Sequence, residues 1–119
     1  TSLAHQVCTA CRKDSPAATD LEVEQLLPEI SNWSLETKAS GRQLSRVYRF
    51  KNFLDALRFT ETVGAMSESE GHHPRIVTEW GRASITWRTH SIKDVHRNDF
   101  IMAAKTDNIF SKLQQSNCL

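Results

Sequence analysis

At 119 residues, with a hydrophobic fraction of 39% and a charged fraction of 24%, the chain has the size and make-up of one globular domain that can bury a core without disulfides. Its net charge of +1 comes from dispersed basic residues, whereas a nucleic-acid binder that neutralises phosphates shows a basic patch or stripe, so no nucleic acid is expected as partner. No apolar run approaches the roughly 20 residues that span a bilayer, and the first residues lack the apolar core of a secretory signal, so a cytoplasmic protein without a membrane partner is expected.

Residues 1–18 are polar and without sustained periodicity, which predicts a flexible or loosely docked arm ahead of a single domain over 19–119. Cys8 and Cys11 have CxxC spacing, but the third cysteine is Cys118 and no second CxxC follows. They read as an exposed, inert pair rather than a disulfide framework or half a zinc site. Thr19-Asp-Leu-Glu22 fits a capping box. It opens a short helix with Leu21, Val23, Leu26 and Leu27 on its apolar side, and Pro28 constrains the end.

Trp33 to Thr37 alternates apolar and polar residues, Ala39-Ser-Gly41-Arg42 is turn chemistry, and Leu44 to Phe50 reads as the returning strand of a hairpin. Arg46, Arg49 and Lys51 are assigned to its solvated face. Asn52 can cap the main helix, whose expected buried stripe is Phe53, Ala56, Leu57, Thr60, Val63 and Gly64. Gly71 is a left-handed stop. Ile76 to Trp80 and Ala83 to His90 form the next strand pair, joined through Gly81-Arg82. Alternation places Ala83, Ile85, Trp87 and Thr89 on one face and His90 on the other. A final helix runs from Asn98 or Asp99 through Leu113, with a frayed tail beyond. The α-β-β-α-β-β-α order predicts an α+β domain: a four-stranded antiparallel sheet with helices packed on one face.

Three of the five histidines carry the chemistry. His72 and His73 follow the end of the main helix, where the dipole favours positive charge, and Pro74 restricts the backbone of His73. His90 closes the last strand and can return a third imidazole to the pair. Imidazole has an unperturbed pKa near 6.5 and exchanges protons near neutral pH. Adjacent histidines seldom converge on one ion, and no convincing fourth ligand is evident, so no metal is expected. Glu68 either orients an imidazole or is simply solvated. Asp99 either does likewise or stabilises the first turn of the last helix. Trp80 and Trp87 are assigned to core or rim packing, and His5 and His96 to the surface.

The full spacing is Glu68, three residues, His72-His73-Pro74, five residues, Trp80, nine residues, His90, eight residues, Asp99. From about Leu26 to the last helix the chain resembles the pterin-4a-carbinolamine dehydratases, also called 4a-hydroxytetrahydrobiopterin dehydratases. That resemblance implies a pterin substrate, no cofactor, and water loss by histidine acid–base catalysis. It casts His72 and His90 as proton-transfer residues with Glu68 as support. His73, Pro74, Thr89 and Ser91 would bind substrate, and Asp99 and Trp80 would give possible support. It further implies a homodimer or homotetramer and a link to phenylalanine hydroxylase. The family also includes dimerisation partners and coactivators of transcription factors, so a non-enzymatic binding module is the alternative. Many relatives carry Gly-Leu and then Ser or Thr where this chain has Asp94-Val95-His96, which leaves the local cap and loop geometry open.

Overall fold

A computed structural model describes residues 3–6 and 16–116, the side chains of residues 115 and 116 excepted. The three cysteines and most of the expected arm lie outside the described residues. The first helix, α1 (Asp20–Leu26), opens on the expected capping box: Thr19 Oγ1 accepts from Glu22 N, and Glu22 Oε1 accepts from Thr19 N, both at 3.1 Å. Its apolar side is narrower than the pattern implied, because Leu26 is buried while Leu21 faces solvent. The α-helix ends at Leu26, just before Pro28 as expected. A 3-10 turn over Leu27–Ile30 continues it with proline in the first turn, where a missing N–H leaves no bond unmade.

Four strands follow as two hairpins: β1 (Ser34–Lys38) with β2 (Gly41–Arg49), then β3 (Arg75–Glu79) with β4 (Arg82–Trp87). β2 pairs antiparallel with β4, so the sheet order is β1-β2-β4-β3. Alternation sends Leu44, Tyr48, Ala83, Ile85 and Trp87 to one face, where all are buried. Helices α2 (Phe53–Glu70) and α3 (Arg97–Ser116) cover that face, which gives the α+β architecture the element order predicts. Tyr48, Phe59, Phe50 and Phe110 form its aromatic centre, with Tyr48–Phe59 ring centroids 4.6 Å apart.

Three expectations need correction. The buried line of α2 is Ala56, Phe59, Val63 and Ser67, while Phe53 and Leu57 are exposed. Both sets obey helical spacing, and only the position of the sheet selects between them. Arg46 is not solvated: it donates to Asp107 on α3, alongside Tyr48 Oη and, at 2.9 Å, Trp33 Nε1. Burial and the Asp107 carboxylate push the Tyr48 hydroxyl well above the usual phenol range, so it stays a donor. Finally, β4 ends at Trp87 rather than His90. Residues near the chain start also pack inward, with Leu3 buried against α3.

The β1–β2 turn meets the loop after β4 at Gly41. Its φ of +116° disfavours any side chain, and a Cβ there would lie 1.8 Å from the carbonyl oxygen of Lys93. Gly41→Ala is therefore expected to cost more than about 2 kcal/mol, since backbone strain alone is of order 1–3 kcal/mol. A denaturant melt with an unshifted midpoint would contradict this.

Candidate active site

Two short loops build the site, one after α2 and one after β4. Gly71, at φ +67°, turns the chain out of α2, and His72 N donates back to Ser67 O at 3.2 Å. This cap directs the His72 ring inward. Its Nε2 lies 2.7 Å from Asp99 Oδ1, and the ring stacks on Trp87 with centroids 5.5 Å apart and planes 14° from parallel. Donation from Nε2–H to the carboxylate leaves the lone pair of a neutral ring on Nδ1.

Asp99 is fully buried at the start of α3. Its second oxygen accepts from Thr89 Oγ1 at 2.8 Å and from His96 N at 2.9 Å. One carboxylate thus holds His72, the residue beside His90, and the helix start. His96 is itself a cap, contrary to the surface role expected of it. Its Nδ1 accepts from Asn98 N at 3.0 Å while the Asp99 side chain accepts from His96 N, the reciprocal pattern of a capping box with imidazole in the serine position.

His90 is exposed in the loop Thr89–Asp94. Thr89 and Asp94 pair as an isolated bridge, with Thr89 N donating to Asp94 O at 2.9 Å, and Lys93 takes a left-handed φ of 52°. A planar pair ties this loop to β2: Arg42 Nε and Nη2 donate to the two Asp94 oxygens at 2.7 and 3.1 Å. The hydrogen bond to Asp94 raises the Arg42 guanidinium against a smaller lowering by burial. Burial pushes the Asp94 carboxyl up, but the bonds from Arg42 and Val95 N together with the Arg42 charge outweigh it and hold the group below its ordinary value.

The remaining candidates are less closely joined. His73 pairs with Glu68 at 2.6 Å, both well exposed, so Glu68 orients His73 and not His72. Pro74 is half-buried and Ser91 exposed. Trp80 is 74% exposed on the β3–β4 turn, at the far end of β3 from the histidine pair, roughly 16 Å along a strand that rises about 3.3 Å per residue. Arg42, Trp87 and His96 were missed as site residues: the first reads as turn chemistry, the second as core, the third as surface. Among the described residues no group of three or more His, Cys, Asp or Glu is placed to hold a metal ion.

Fold and candidate site together define a small α+β domain in which one buried carboxylate, Asp99, holds the His72 ring and the start of the His90 loop. The family model for pterin 4 alpha carbinolamine dehydratase matches residues 16–109, and the chain belongs to that family of dehydratases. A solved structure of a transcriptional coactivator/pterin dehydratase from Brucella melitensis is similar over 79% of this chain and 98% of its own length. Its sequence identity is 26% and its TM-score 0.72. No helix among the described residues is long and apolar enough to cross a membrane.

Proposed function

We propose that the protein dehydrates 4a-hydroxytetrahydrobiopterin to quinonoid dihydropterin, as a single domain over residues 19–119. The observation that carries this reading is the Asp99 carboxylate, which holds His72 and anchors the loop that bears His90. The reaction delivers a proton to the departing C4a hydroxyl and removes one from N5. The C4a–O bond breaks, a C4a=N5 bond forms, and water leaves. His72 and His90 are the proton-transfer pair, each worth on the order of 10²–10⁴-fold. His72, with Nε2 committed to Asp99, works through Nδ1. His73, oriented by Glu68, binds the pterin, with Pro74, Thr89 and Ser91 shaping the pocket around it.

The same reading places the protein in the cytoplasm, recycling the cofactor of an aromatic amino-acid hydroxylase, phenylalanine hydroxylase foremost, as a homodimer or homotetramer. Exposed Phe53, Leu54 and Leu57 on α2 favour self-association, and they equally support a second reading as a dimerisation or transcriptional regulatory module. Stopped-flow dehydration of freshly generated 4a-hydroxytetrahydropterin separates the two. Acceleration over buffer by wild type is expected. A folded protein that leaves the rate at its buffer value sinks the enzymatic reading and turns the search to protein partners.

A further inference from the structure

The loop that carries His90 has a second set of contacts, besides those to Asp99. Three contacts, from Ser40 in the β1–β2 turn and from Gly41 and Arg42 at the start of β2, brace it. Arg88, just before the loop, donates from Nη1 to Ser40 Oγ at 3.2 Å and from Nη2 to Ser40 O at 3.1 Å. Gly41 lets its backbone lie directly against Lys93 O. Arg42 grips the Asp94 carboxylate with two parallel bonds and reaches Ala18 O at 2.8 Å with the same Nη2. Ala18 N in turn donates to Val95 O at 2.9 Å, which ties the segment before α1 to the residue after the loop.

His90 therefore sits between two fixed points. Thr89 is held by Asp99, and Asp94 is held by Arg42. Between them the backbone has left-handed Lys93 and two long turn bonds, Ile92 N to Thr89 O at 3.4 Å and Lys93 N to His90 O at 3.3 Å. A short loop with a strained residue and weak internal bonds keeps one shape only when its ends are fixed.

We propose that the Arg42–Asp94 pair is a clamp that positions His90 for proton transfer, making Arg42 and Asp94 positioning residues of the dehydration. The proposal rests on the dehydratase reading of the site. It differs from a plain stabilising ion pair in requiring the two-pronged geometry of a guanidinium, which lysine lacks. Misplacement of a catalytic group by about 1 Å can cost 10²-fold, so a partial loosening is expected to cost about tenfold.

The test uses the full chain with Arg42→Lys, Asp94→Asn and the double variant, following single-turnover dehydration and amide hydrogen exchange across Thr89–Asp94. Each single variant is expected to lower kcat about tenfold with KM within about twofold, and the double variant to be no worse than either. Exchange in the loop is expected to quicken about tenfold while α2 keeps its protection. In an active protein, unchanged kcat per folded molecule or unchanged loop exchange overturns the clamp. If wild type fails to dehydrate the pterin, the reaction assigned above is what fails. Exchange then decides the clamp alone: faster loop exchange in Arg42→Lys retains it, and unchanged exchange overturns it.

Discussion

His72→Gln and His90→Gln are each expected to lower the dehydration kcat by about 10²–10⁴-fold, the range that positioned acid–base groups contribute. Glutamine keeps polar atoms in place but cannot take up and release a proton near neutral pH. The two variants should differ in stability. His90 is exposed, so its loss should leave the melt nearly unchanged. His72 gives up both the 2.7 Å bond to Asp99 and the stack on Trp87, so its loss should lower the midpoint as well. Single-turnover stopped flow with melts on the same samples separates chemistry from folding. If both variants retain more than half of wild-type kcat, acid–base catalysis by this pair is wrong.

Asp99→Ala is expected to cost about 3–5 kcal/mol of stability, the range for removing one partner of a buried hydrogen-bonded pair. The cost comes from the donors left behind. The buried Thr89 Oγ1 would lose its acceptor at about 1–3 kcal/mol, and the part-buried His72 Nε2 and His96 N, within partial reach of water, would each add less. Activity should fall as far as in the His72 variant, because the ring loses the group that fixes its tautomer and plane. Asp99→Asn should be intermediate: its oxygen still accepts, but its amide points N–H groups at donors. Glu68→Ala is the contrast, since its pair with His73 is exposed and such pairs stabilise little. A urea titration placing Asp99→Ala within about 1 kcal/mol of wild type would remove Asp99 from the centre of the site.

Much of the architecture was legible in the chain because it is written at short range. The Thr19 box, the Asn52 cap and the Gly71 stop each depend on residues no more than four apart, and all three formed where expected. Asn52 Oδ1, for instance, accepts from Asp55 N at 2.7 Å. Strand alternation likewise placed Trp87 with Ala83 and Ile85 on the covered face. The stripe of α2 was misjudged because Phe53–Leu57 and Ala56–Phe59–Val63 are both apolar at helical spacing. A sequence does not say which of two such lines will meet the sheet.

The sequence by itself determined the α+β order and the family, and it singled out the three histidines proposed to carry the chemistry. Residue type and local spacing suffice for these, since caps, alternation and the order of a motif are all written along the chain. Tertiary structure alone decided how the histidines are held. Asp99 meets His72 across 27 residues, Arg42 meets Asp94 across 52, and Arg46 meets Asp107 across 61. No periodicity encodes such pairs. They exist because the β2–β4 pairing and the packing of α2 and α3 on one face bring those side chains into a shared, partly desolvated space. There a charged or polar group must find a partner or carry the cost of burial. That demand pairs Asp99 with His72 and Thr89 as well as with the helix start, and pairs Arg42, at the head of β2, with Asp94 in the His90 loop.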